Sequence, residues 1–222
     1  EAARMLNVRG EVLFVSKEPT MLSAELKDGS KISGEHNIDE PVSTKRSPIQ
    51  KLLLSRSEMN PRVANAISRA DAIIFGPGDL YTSTLPNLLV QGVSEAIRSS
   101  KAKKILITNI MTKPGQTDGF GTLDFLRETN AYLGGNGNKS IIDTVIVNTK
   151  EPEKTALALY KKEKAIFIKP EIEKLKKAGV EVVADAVLSD QVHVKAKGDL
   201  LKRSIIRHDS DKTAEIIWNL IK

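Results

Sequence analysis

Three stretches of the 222-residue chain hold residue types suited to ligand chemistry. The first is Gly76-Pro-Gly-Asp-Leu-Tyr-Thr-Ser83, placed directly after the short apolar run Asp71-Ala-Ile-Ile-Phe75. Gly76 and Gly78, on either side of Pro77, permit positive φ and close backbone approach, and the amides and hydroxyls of Tyr81, Thr82 and Ser83 can hold an oxyanion beside the next helix start. Asp79 adds one acid. The stretch is not a Walker loop, because no Gly-Lys-Ser/Thr follows, and Pro77 and Tyr81 break the GxGxxG spacing. A bare strand-to-helix connection needing Gly and Pro for geometry is the competing reading.

The second stretch is Asn109-Ile-Met-Thr-Lys-Pro-Gly-Gln-Thr-Asp-Gly119. Asn109 at a strand end can hydrogen-bond a sugar or a base, while Asp118 either meets a ligand or caps the following segment. The third is Arg207-His208-Asp209, where Arg207 offers a planar fork suited to phosphate or carboxylate and Asp209 or Ser210 can cap the last helix. His36 and His193 have no partners at metal-ligand spacing and read as structural or solvent-facing. Gly134-Gly135-Asn136-Gly137 follows a helix rather than a strand, so it reads as a connector. No Ser-His-Asp arrangement has the nucleophile-elbow spacing.

The elements that must position these loops have two textures. Over residues 1–58, Glu1–Leu6 reads as the tail of a helix and the remainder as a small antiparallel meander. Its strands are expected at Glu11–Val15, Met21–Leu26, Lys31–Gly34 and Ile49–Leu54, with Asp28-Gly29 as a hairpin turn and a loop around Pro41 and Pro48. Over residues 59–222, helices and buried strands alternate. Asn60-Pro61 marks a helix start. Strands are expected at Asp71–Phe75, Lys104–Asn109, Thr144–Val147, Ala165–Ile168 and Val180–Val183, and the run Asp71–Phe75 is expected to be buried on both faces. Helices are expected over Leu85–Ser99, Leu123–Leu133, Pro152–Tyr160, Glu171–Ala178 and Lys212–Ile221, the last with Ala214, Ile217, Trp218 and Ile221 on one side. This order predicts an α/β, Rossmann-like, mainly parallel sheet with helices on both faces, plus the small β subregion. In such a sheet, ligands bind beyond the carboxyl ends of the strands, where the first two loops fall.

Composition narrows the function. With no cysteine, a disulfide scaffold, an iron–sulfur cluster and a Cys nucleophile are excluded for these residues. The net charge of +6 is dispersed over lysines with acids between them, and aromatics are only 4% of the chain. No basic stripe interleaved with stacking rings exists, so nucleic acid is not the expected partner. No apolar run is long enough for a membrane span and no export signal is legible, so a cytoplasmic location is expected. The sequence leaves the oligomeric state open, a homodimer included.

Taken together, Gly76–Ser83 with Leu85-Pro-Asn-Leu-Leu89, Asn109-Ile-Met-Thr, Gly115-Gln-Thr-Asp-Gly119 and Arg207-His208 resemble the gluconeogenesis-factor family. This is the YvcK-type branch of the CofD-like, or 2-phospho-L-lactate transferase-like, proteins. Met5-Leu-Asn-Val-Arg-Gly10 and Asp28-Gly29 with Gly34-Glu35 fit the same pattern. The resemblance implies a nucleotide-binding core that takes UDP-sugars such as UDP-N-acetylglucosamine and a regulatory role in cell shape, cell-wall synthesis and growth on gluconeogenic carbon. The transferase branch instead implies magnesium-dependent transfer of a phospholactyl group, with Asp79 or Asp118 as metal ligands. Ligand residues carried over by the resemblance are the Gly76–Ser83 loop, Tyr160 and Arg207. Tyr160 can stack on a uracil, bond a phosphate or simply pack at a core edge, and Arg207 would neutralise a diphosphate. The family's opening Gly-Gly-Gly-Thr-Gly loop and Asp-Asp-Gly-Gly-Ser-Ser-Gly segment have no counterpart here. The chain is therefore expected to be the carboxyl-terminal part of a larger CofD-like domain.

Overall fold

Alternation of apolar and polar residues builds the first sheet. In β1 (Leu22–Leu26), Leu22, Ala24 and Leu26 are buried while Ser23 and Glu25 face outward. The turn to β2 (Lys31–Ser33) uses Gly29 at φ 83, and the Asp28 carboxylate accepts from the Ser30 N–H at 2.9 Å. A five-residue helix, α1 (Glu35–Asp39), follows just ahead of the Pro41 loop, and β3 (Ile49–Leu54) returns to the free edge of β1. The order is β2-β1-β3, all antiparallel, so β1 is central and the sequential meander is not formed. The computed structural model describes residues 10–41, 46–135, 139–190 and 204–222. The expected helix tail Glu1–Leu6, His193, and Asn136 and Gly137 lie outside them.

Glu11–Val15 is not a strand. It is an extended strap across the start of α2 (Pro61–Arg69), where the Asn60 N–H donates to the Val15 carbonyl and its side-chain amide to that of Phe14. Four parallel strands then form the second sheet in sequence order: β4 (Ala72–Phe75), β5 (Lys103–Ile107), β6 (Thr144–Asn148) and β7 (Glu181–Asp185). The expected single helix over Leu85–Ser99 is two, α3 (Leu85–Leu89) and α4 (Val93–Ser99), with Gly92 at φ 90 between them. A π-helical turn, Leu80–Thr84, leads into α3. The remaining helices are α5 (Thr122–Tyr132), α6 (Lys154–Lys162), α7 (Ile172–Lys177) and α8 (Ser210–Ile221).

The helices cover both sheet faces. Leu106, Val145 and Val147 belong to the cluster that holds Leu88, Ile97, Phe125, Leu126 and Leu175. On the other face, Ile105, Ile107 and Ile146 meet Ile216, Ile217, Leu220 and Ile221 of α8. Consequently Trp218 and Ala214 are not on the inward stripe: Trp218 is 57% exposed, with the Lys222 ammonium over its ring. Among the described residues β4 is an edge strand, and Ile74 is 43% exposed rather than buried. Ala165–Ile168 makes no sheet strand either. It runs beside the loop after β5 through a single antiparallel bridge, Met111 to Phe167. No described helix is long and apolar enough to cross a membrane.

Candidate functional site

Both loops singled out by residue type stand at the carboxyl ends of β4 and β5, and the structure locks them together. Gly76 has φ 76, and a Cβ there would sit 3.0 Å from the Ile107 carbonyl, so only glycine lets the loop pass this close to β5. Asn109, just past β5, donates from Nδ2 to the Gly78 carbonyl at 3.0 Å. The second loop is internally bonded as well: Lys113 N–H to Thr117 Oγ1 at 2.8 Å, and Gly115 N–H to Asp118 Oδ2 at 2.5 Å.

The polar centre formed between these loops involves residues the sequence reading did not select. Lys113 Nζ lies 3.0 Å from Asp79 Oδ2 and 3.1 Å from Asp39 Oδ2, bringing the last residue of α1 onto the strand-end loops. Asp39 Oδ1 also accepts from Thr82 Oγ1 at 3.1 Å and from Gln116 Nε2 at 3.0 Å. Burial works against the Asp39 charge, yet Lys113 and these two donors outweigh it and hold its pKa below the ordinary carboxylate value. Burial likewise disfavours the Lys113 ammonium, but Asp79 and Asp39 raise its pKa above the ordinary lysine value. Asp39 and Lys113 are therefore held in their charged forms at neutral pH. Arg46 braces the centre from behind, donating to the carbonyls of Asn37 and Ile38 at 3.0 Å each and to that of Gly115. Gly115 sits at φ 78 with Pro41 so near that an added Cβ would lie 2.6 Å from its Cγ.

The other candidates occupy distinct places. Pro77 and Ser83 are exposed, and Asp79, Thr82 and Asn109 are half-buried at the loop mouth. Tyr81 points into the core: it is 2% exposed, edge-on to Phe120 with ring centroids 6.4 Å apart, and beside Glu128. Tyr160 and Arg207 are drawn together on a neighbouring segment, since the Tyr160 hydroxyl accepts the N–H groups of Ile205 and Ile206 at 3.0 and 3.2 Å. Arg207 Nε donates to the Ser204 carbonyl at 2.8 Å. His208 Nε2 lies 3.1 Å from the Thr108 carbonyl, which couples this segment to the base of the Asn109 loop. His36 is exposed on α1. Among the described residues, no group of three or more His, Asp or Glu side chains is placed to hold a metal.

Lys113 was legible in principle, as the only cation between β5 and Gly121. Asp39 and Gln116 carried no such signal, because nothing local distinguishes them from solvated side chains. A groove of about 640 Å³ between α5 and α7, lined by Arg127, Lys139, Lys174 and Lys177 over Leu123 and Leu126, lies away from this centre. We weight the strand-end loops above it, because there the polar groups converge and are partly desolvated.

The chain is similar in sequence and in fold to known proteins. A Thermotoga maritima relative is 39% identical over 215 residues, covering 96% of this chain and 63% of its own length. The gluconeogenesis factor of Bacillus subtilis is 35% identical over 224 residues, covering all of this chain and 65% of its own length. The crystal structure of a Bacillus halodurans protein of the UPF0052 family superposes with a TM-score of 0.83 at 35% identity, covering 98% of this chain and 64% of that one. The chain thus spans less than two thirds of the length of these relatives. The family profile described as 2-phospho-L-lactate transferase CofD matches residues 1–188, and the chain belongs to that family.

Proposed function

We propose that this chain is part of a regulatory protein that binds a nucleotide-sugar of the UDP-N-acetylglucosamine type in the cytoplasm. Its binding state would influence cell shape, cell-wall synthesis and growth on gluconeogenic carbon. The supporting observation is the junction of the two strand-end loops, where Asn109 ties Gly78 and the Lys113 ammonium, paired with Asp79 and Asp39, stands at the loop mouth. Arg207 and Tyr160, adjoining that junction through His208, would serve the diphosphate and the base. Calorimetric titration of the full-length protein with UDP-N-acetylglucosamine tests this reading. We expect saturable binding, weakened by about tenfold or more in Arg207→Ala, because a charge-assisted contact to phosphate is lost. No binding by the unaltered protein would overturn it.

The family's transferase description supports a second reading, transfer of a phospholactyl group to a deazaflavin precursor with magnesium. The side chains named for that ion do not fit it well. Asp79 is turned onto the Lys113 ammonium, and Asp118 is bound to the Gly115 N–H, so the two do not converge. Turnover of a deazaflavin precursor with a guanosine-diphosphate phospholactyl donor would favour this reading over the first.

A further inference from the structure

The Asp39–Lys113–Asp79 triad poses an electrostatic problem for any phosphorylated ligand. Two carboxylates and one ammonium sum to −1, and the adjoining Arg46 and Asp118 cancel one another, so the site at rest does not favour an anion. The two carboxylates are held unequally. Asp39 has two further donors, Thr82 Oγ1 and Gln116 Nε2, and its side chain is 23% exposed. Asp79 has no donor other than Lys113 among the described residues, and its side chain is 36% exposed. Asp79 is the more exposed and less bonded of the two carboxylates, so it returns to water more readily than Asp39, which stays anchored.

A second observation points to a ligand at the same place. Gln116 is 3% exposed, and its Oε1 has no hydrogen-bond partner. The amide cannot be flipped to cure this, because Nε2 must face the Asp39 carboxylate. A buried amide oxygen without a donor is unfavourable, and a ligand hydroxyl or N–H reaching it from the Asp39 side would satisfy it.

We propose that Lys113 is the phosphate-binding residue of this site and that Asp79 is its resting counter-ion, displaced when a phosphate arrives. Asp39 remains on Lys113 and fixes the ammonium's position, and Gln116 takes a hydroxyl next to the phosphate. The ligand class this specifies is a phosphorylated sugar with a hydroxyl adjoining the phosphate. The inference rests on the reading of the site as one for phosphorylated ligands, and it makes the three-stranded subregion, through Asp39, a contributor to the site.

The test is calorimetry with inorganic pyrophosphate at constant ionic strength, on the full chain. Lys113→Met should weaken binding by about tenfold or more, and Asp79→Asn should tighten it by roughly three- to tenfold. A gain of affinity cannot arise from misfolding, which protects the test if Lys113→Met is unstable. Asp71→Asn, the same charge change at the opposite end of β4, and the exposed Lys101→Met should leave affinity unchanged. Equal tightening in Asp71→Asn would make the effect one of net charge and overturn the proposal. So would unaltered affinity in Lys113→Met, no tightening in Asp79→Asn, or no pyrophosphate binding by the wild-type chain. If pyrophosphate behaves as expected while UDP-N-acetylglucosamine fails to bind, the nucleotide-sugar reading falls and the Lys113 assignment stands.

Discussion

His208 shows how one side chain couples site geometry to stability. Its Nε2 faces a carbonyl oxygen, that of Thr108, so this nitrogen carries the proton. Burial pushes its pKa below the ordinary 6.5, and the bond to Thr108 offsets only part of that. The folded state therefore resists protonation more than the unfolded chain does. The stability this confers is present above about pH 6.5 and is lost as pH falls through the lowered folded value. We expect the urea midpoint of the wild type to drop between about pH 7 and pH 5 by more than that of His208→Gln, whose amide can donate to Thr108 but does not titrate. Parallel midpoint-versus-pH curves for the two proteins would show that His208 is not the responsible group.

At the scale of elements, caps and breaks decide where helices lie. Asn60 caps α2 by accepting the Arg62 N–H at 3.1 Å, and its amide also holds the strap at Phe14; the residue is 6% exposed. Asp209 caps α8 through Lys212 N–H at 3.0 Å and is half-buried. Thermal and denaturant unfolding should find Asn60→Ala destabilising by about 2 kcal/mol and Asp209→Ala by about 1 kcal/mol, since only the first also loses the side-chain bond that holds the strap at Phe14. Equal losses would mean the strap bond contributes nothing. Both caps were readable from residue type. The break between α3 and α4 was not, because its cause is remote: Gln91 bonds Ser57 and Met59 across a parallel bridge, pulling Val90–Gly92 out of helical geometry. Ala165–Ile168 was misread for the same reason. Its apolar run suits a strand, but its backbone partners are Ile110 and Thr112 in a loop, so among the described residues the parallel sheet has four strands.

For the molecule as a whole, the question is how the three-stranded sheet is held on the parallel core. Polar ties connect them at three places: Asp39 to Lys113, Thr82 and Gln116; Arg46 to Gly115; and the Tyr132 hydroxyl, which accepts the Leu52 N–H at 2.7 Å. The last covers the outer edge of β3, whose backbone donors would otherwise lack partners. Burial and the nearby Glu128 carboxylate push the Tyr132 hydroxyl pKa up to about 12 although the Leu52 contact lowers it, so it stays neutral at physiological pH. Tyr132→Phe should speed amide hydrogen exchange at Leu52 by tenfold or more, corresponding to about 1.4 kcal/mol, while exchange in β5 and β6 is unchanged. Uniform acceleration across both sheets would mean that they open as one unit and that this tie is not local.

The sequence by itself determined the alternating α/β order, the caps, and the two loops at strand ends, because those depend on periodicity and residue type within a few positions. It also supported the family, through motifs that are contiguous in the chain. Only the tertiary structure decided which side chains meet. Asp39 and Lys113 are 74 residues apart, and Gln116 and Asp39 are 77 apart. No local pattern encodes such pairs. They arise because α1 is delivered to the strand ends by the packing of one sheet on another, and burial there turns ordinary surface residues into a charged, partly desolvated centre. The same packing turned Tyr81, which by type belonged to the ligand loop, into a core residue. Short-range geometry is written in the order of residues, whereas long-range contact is settled by which apolar faces must be covered.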